Sequence, residues 1–166
     1  MSCNSEQISG LADAWIEMRS LTIKGLDQLG PDLLSKKLPR PGLNTILKHF
    51  DEMLNVGAVY IRALTEGSVD FSTVPGVDEF PGGTKWADLK QRGKADLAAF
   101  KALGTEFRSS VSWEDEDMPA SQIFVYLISH ETLHQGQISA FLYAVGAEPP
   151  EAWRAQWAMP QAQASQ

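Results

Sequence analysis

His130 and His134 stand four residues apart in the stretch His130-Glu131-Thr132-Leu133-His134, which runs on into Gln135-Gly136-Gln137. The chain has three histidines in total, so two of them fall in one five-residue window. On an α-helix, positions i and i+4 share a face, with Cβ atoms roughly 5–6 Å apart. That separation lets two imidazoles converge on one cation, and helical metal sites use it for that reason. The third histidine, His49, lies in another apolar, helix-patterned segment. These residues point to a three-histidine metal site on His49, His130 and His134. A lone histidine on an apolar face is usually a core residue with one hydrogen bond. Two consecutive core positions are different, because each buried ring costs free energy unless its nitrogens are partnered. A shared metal partners both, and a tripod of histidines leaves coordination positions open for water or substrate.

The same five residues match the HExxH pattern of zinc proteases, in which Glu131 would be the general base. Three features weigh against that reading. The extended motif needs glycine and histidine three and six residues after the second histidine, where this chain has Gln137 and Ala140. Glu148 and Glu151, the downstream carboxylates, flank Pro149-Pro150, with no helix pattern to carry them back. No sheet is evident to hold a peptide by strand addition.

The elements that must position these residues follow from apolar spacing. Residues 7–29 read as a helix with Ile8, Leu11, Trp15, Met18, Thr22, Leu26 and Leu29 on one stripe. Gly30-Pro31 interrupts it, a short turn follows through Leu33 and Leu34, and Pro39-Arg40-Pro41-Gly42 is a break. Residues 43–66 read as a second helix, with Asn44 as cap and Gly67 as stop. Two adjoining stripes, one carrying Phe50 and Leu54 and the other His49, Met53 and Tyr60, make it an interior helix with several neighbours. Residues 67–83 are rich in Gly, Pro and Ser and form a long loop or crossover. A third helix covers 84–103, with Trp86, Leu89, Leu97, Phe100 and Leu103 inward.

Arg108 to Trp113 is a candidate short extended piece, too little on which to build a sheet. Glu114-Asp115-Glu116-Asp117 reads as favourable charge before a helix N-terminus, with a hard-cation site as the alternative. The last long helix runs from Pro119 to a stop at Gly146, beyond which Pro149-Pro150 prevents continuation. Its inward row is Ile123, Leu127, His130, His134, Ile138, Phe141 and Val145. Both histidines thus occupy places where leucine would be expected. A short final helix carries Trp153 and Trp157 back onto the body, and Trp15 and Trp86 fit core stripes. The fold class is all-α, a four-helix bundle in one domain over residues 1–166, its core about 7–158.

Composition bounds the function. Hydrophobic residues make up 43% and charged residues 21%, as in globular domains rather than disordered chains. The net charge of −7 argues against nucleic acid or an anionic membrane as partner, since both favour a basic face. Cys3 is the only cysteine, so neither a disulfide framework nor a thiolate zinc site is available, and a reducing cytoplasmic setting is expected. The N-terminus lacks the basic and apolar regions of a signal peptide. Every apolar run is shorter than the roughly 18 residues of a membrane span.

The order of these motifs, one histidine early in the second helix and then His-x-x-x-His-x-Gly-Gln in the last long one, resembles the DinB-like metal-dependent family. Tyr126 to Ile138 carries most of the resemblance, and Ile46-Leu47-Lys48-His49-Phe50-Asp51 matches more loosely. Gln135 replaces the arginine often found there, which leaves the ligands untouched. The resemblance implies a four-helix bundle in which His49, His130 and His134 bind one divalent ion, commonly nickel or zinc, and it implies a homodimer. Family members with known activity include S-transferases and isomerases that use low-molecular-weight thiols. The expected function is therefore a metal-dependent enzyme on a small-molecule substrate, a thiol S-transferase or a hydrolase. The alternative is a metal-binding stress-response or binding module without turnover. A cation on imidazoles can lower the pKa of a bound water or thiol. Cys3 sits at the terminus, so a thiol would have to come in as cosubstrate. Tyr126 and Gln137, one turn either side of the histidine pair, are candidates to line the site, their ordinary reading being core-edge and helix-surface residues. Imidazole ligands suit several metals, so the residues leave the metal open.

Overall fold

A computed structural model describes residues 5–39, 44–74, 86–104 and 106–159. The helices are α1 (Ser5–Gln28), α2 (Pro31–Leu34), α3 (Ile46–Glu66), α4 (Trp86–Leu103), α5 (Ala120–Ala144) and α6 (Glu151–Gln156). Between α4 and α5 lie β1 (Ser110–Trp113) and β2 (Glu116–Pro119). The four long helices form the bundle: α5 packs on α1 and α3, and α4 closes the other side against the same two. Cys3, the centre of the Pro39–Gly42 break, residues 75–85 of the long loop and the polar tail lie outside the described residues.

The stripe of α1 is buried as its spacing demands, with Trp15 and Leu26 fully enclosed. The wide arc of α3 is also realised. Phe50, Met53 and Leu54 face one half of the core, and Val56, Tyr60, Ala63 and Leu64 the other. A buried polar link ties α3 to α4: Lys48 Nζ lies 3.2 Å from Asp51 Oδ2, Asn55 donates to the same oxygen at 3.0 Å, and Arg92 donates to Asn55 Oδ1 at 2.8 Å. Such a link sets the rotation of α3, and with it the direction of His49.

The cap of α3 is Thr45, whose hydroxyl accepts from the Lys48 N–H at 3.2 Å. Asn44 precedes the cap in the left-handed region at φ 56°, its Oδ1 accepting from the Thr45 N–H at 2.8 Å. A short polar side chain tolerates that backbone because it can bond locally. Gly67 ends α3 as expected, at φ 100°, which favours glycine.

Two expectations are corrected. Ser110–Trp113 does form a sheet: it pairs antiparallel with Glu116–Pro119 in a hairpin, with Val111 opposite Met118. The acidic cluster therefore occupies the hairpin turn and β2 rather than the approach to a helix, and Pro119 itself is the N-cap of α5. Val145 is the second correction. It lies past the end of α5 and is exposed, not in the core row.

The last helix is anchored by one ring. Trp153 is fully buried and its Nε1 donates to the Leu21 carbonyl at 2.8 Å. Gly25 makes the space, since a Cβ there would overlap the indole. Trp86 does the same job for α4, donating to the Leu26 carbonyl at 2.7 Å. Among the described residues no helix is long and apolar enough to cross a membrane.

Candidate metal centre

Helix geometry brings His130 and His134 onto one face of α5, and the α3–α5 packing brings His49 and Glu52 to meet them. Nε2 of His130 and Nε2 of His134 are 3.2 Å apart. Glu52 Oε1 lies 3.9 Å from His134 Nε2. Donor atoms of Glu52, His130 and His134 all fall within 4.8 Å of one another, a spacing that could hold a metal ion. His49 is also present, but differently. Its Nδ1 is 2.7 Å from His134 Nδ1, on the other nitrogen of that ring. The three histidines lie together, and the group whose donor atoms could share one ion is Glu52, His130 and His134. Glu52 is not among the residues that the histidine motifs single out. Its signal was its position three residues after His49, on the same face of an α-helix.

The electrostatics suit neutral ligands. Burial, with a smaller contribution from the Arg19 charge, lowers the pKa of His130 to about 4. Burial, then His130 and His49, lowers that of His134 to about 3. Both rings are therefore neutral at pH 7, with lone pairs available and no proton to displace on metal uptake. The contact of His134 with Glu52 is accordingly no ion pair at that pH. Burial raises the pKa of the half-buried Glu52, opposed by Lys48.

A pH dependence follows. The unfolded chain protonates these rings below about pH 6.5, whereas the fold holds them neutral down to about 4 and 3. Between those limits the unfolded state binds more protons, so the metal-free protein loses stability as pH falls from 6.5. Urea midpoints at pH 7.5, 6 and 5, taken with chelator present, should fall more steeply in the wild type than in His130→Gln/His134→Gln. Parallel slopes would refute it.

Glu131 faces elsewhere. One residue on from His130, it is turned about 100° around the helix. Its carboxylate is buried against α1, 3.2 Å from Arg19 Nη2 and accepting from the Thr22 hydroxyl. Burial raises its pKa against the opposing pull of Arg19. A carboxylate locked in a buried pair on the α1 side is not placed to act as base for the histidine cluster, which removes the geometric basis of the HExxH protease reading.

Of the two flanking candidates, Tyr126 lines space. It packs edge-on to Trp113 with centroids 5.5 Å apart, and Trp113 in turn meets Tyr60 and Phe71. A cavity of about 440 Å³ is walled by Trp113, Tyr126, Met118 and the acidic hairpin turn. Tyr126 is four residues before His130, one turn away along α5. Gln137 is part-buried, and its Oε1 has no hydrogen-bond partner among the described residues.

The model of the DinB family matches residues 1–162. The chain belongs to the DinB family. None of the curated proteins matches it. Among solved structures it is similar to a DinB-like protein from Bacillus cereus, with a TM-score of 0.64 at 22% identity, over 85% of this chain and 94% of that one. At that identity the likeness speaks for the DinB-like helical fold. Family and fold therefore agree with the resemblance drawn from the histidine motifs.

Proposed function

We propose that this DinB protein is a metal-dependent enzyme acting on a small molecule, with one divalent ion held by His130, His134 and a further ligand from α3. The observation that carries the reading is the 3.2 Å separation of two neutral Nε2 atoms with a carboxylate alongside. Two nitrogens bound at about 2.0–2.1 Å to one tetrahedral ion stand roughly 3.3–3.4 Å apart, so the residues fit the ion without rearrangement of the helix. Nickel and zinc both suit such a donor set. When bound, the ion supplies Lewis acidity, lowering the pKa of a thiol or water it ligates.

The chain's own residues do the rest. The imidazoles stay unprotonated, and Glu52 brings negative charge beside them. A thiol cosubstrate fits this arrangement, in an S-transfer or hydrolytic reaction, because Cys3 is the chain's only thiol. A homodimer belongs to the same proposal, supported by Val125 and Leu133, which stand exposed on α5.

Elemental analysis of untagged protein tests it, beside His130→Ala and His134→Ala. About one zinc or nickel per chain, lost in both variants, is expected for a site of this kind. An absorption change of the cobalt-loaded protein on adding thiol or azide would mark an open position and favour turnover. An unresponsive spectrum would favour a binding module. Sedimentation of the same samples at the mass of one chain would sink the homodimer.

A further inference from the structure

We propose that the cavity beside the β1–β2 hairpin binds a small organic cation, a protonated primary amine carrying an apolar tail. The cavity, of about 440 Å³, is walled by Trp113, Glu114, Asp115, Glu116, Met118 and Tyr126. That volume falls within the roughly 300–1,000 Å³ of small-molecule sites. No lysine, arginine or histidine lines it, so the proposal does not rest on the metal-centre reading.

The lining is of two chemical kinds. One is a wall of rings. Trp113 and Tyr126 meet at 87° with centroids 5.5 Å apart, and a cation within about 6 Å of such a ring face is attracted by its quadrupole. Tyr60 backs this wall, edge-on to Trp113 with centroids 5.9 Å apart. It is only 7% exposed, and its hydroxyl has no hydrogen-bond partner among the described residues. A buried hydroxyl left in that state costs free energy, which a donor entering beside Tyr126 would relieve. Burial, then Tyr126, raises the Tyr60 pKa, so the phenol stays neutral at pH 7.

The other kind is acidic. Glu114, Asp115 and Glu116 are exposed and form no ion pair among the described residues. Their mutual repulsion falls when a positive charge stands among them. An ammonium group offers only donors, which matches a lining whose charged groups are all acceptors. An apolar tail on the same molecule covers Trp113 and Met118. A hard divalent ion fits less well: it takes roughly six to eight oxygen ligands, and the rings and the Met118 thioether supply none.

Protonated phenethylamine is the probe, with phenethyl alcohol as its neutral counterpart and calcium as the hard cation. Calorimetry on the full-length protein at pH 7 gives affinities. The indole N–H resonances of the five tryptophans locate the site, Trp113→Phe identifying the one that matters. Phenethylamine should shift the Trp113 resonance saturably and bind more weakly as salt is added. Trp113→Ala should weaken it about 3–30-fold, and the alcohol should bind at least about 10-fold more weakly than the amine. Should Trp113→Ala disturb the hairpin, Glu114→Gln/Asp115→Asn gives the same test at exposed positions the fold does not need, and it too should lose affinity. Equal binding of alcohol and amine would reduce the cavity to an apolar cleft and overturn the proposal. So would calcium binding without amine binding, which would make it a hard-cation site. An amine that leaves the Trp113 resonance unmoved at millimolar concentration overturns it as well.

Discussion

Replacing Glu131 by alanine is expected to destabilise the fold by about 3–5 kcal/mol, the range for breaking one side of a buried ion pair. Against a total of roughly 5–15 kcal/mol for a domain, that is enough to unfold a large fraction of molecules. The cause lies in what is left behind. Arg19 is fully buried, its guanidinium 5.2 Å from the Trp15 ring centre, and Nη2 donates to the Met53 carbonyl at 3.2 Å. Gly57 leaves the room it occupies, since a Cβ there would overlap the guanidinium. Without Glu131 this buried charge loses the carboxylate in contact with it and keeps only the longer-range attraction of Asp96. An apolar pair should behave differently: Arg19→Met/Glu131→Leu is expected to recover most of the loss, because removing both charges removes the desolvation penalty too. Urea unfolding of the single and double variants measures both numbers. A change below 1 kcal/mol for Glu131→Ala would sink the argument. On the proposed function the double variant should also take up metal as the wild type does, which separates Glu131 from the histidine cluster despite its place between His130 and His134.

Trp153→Ala is the second large effect, about 3–5 kcal/mol as for other buried aromatic truncations. The indole is enclosed between α1 and Phe50, with ring centroids 6.1 Å apart, and its N–H is committed to the Leu21 carbonyl. Losing it leaves a cavity and removes the second donor to a carbonyl that is otherwise bonded only within α1. Gly25 supplies the stringent form of the test. In the wild type Gly25→Ala forces the indole aside and should destabilise by about 1–3 kcal/mol. In the Trp153→Ala background the obstruction is gone, and alanine in a helix interior is preferred to glycine by roughly 0.5–1 kcal/mol. The same substitution should therefore change sign. A double-mutant cycle by urea denaturation reads this coupling directly; an additive result would mean that Gly25 does not seat the ring.

Much of this molecule is legible from spacing. The i,i+4 relation of His130 and His134 is helix geometry, so their convergence needs no knowledge of the neighbours. The same holds for the stripe of α1, for the wide arc of α3, and for the stop at Gly67. The hairpin escaped because four-residue strands carry almost no periodic signal, and its pairing is a contact between two segments rather than a property of either. Asn44 gave way to Thr45 as cap because either residue can cap a helix and only the backbone angles choose between them.

At the site the division is sharper. Residue types and helical spacing put two imidazoles on one face of α5, a turn apart. Three things depend on how α1, α3 and α5 pack: which nitrogen of His134 meets His49, that Glu52 reaches the same point, and that Glu131 turns its carboxylate toward Arg19. A side chain's direction around its own helix is local. What stands opposite it is set by the rotation and register of another helix some 8–10 Å away. That rotation is fixed here by side chains such as Trp153, Arg19 and Arg92, which meet Leu21, Glu131 and Asn55 on other helices. Their partners lie up to 132 residues apart in the chain, where no periodicity connects them.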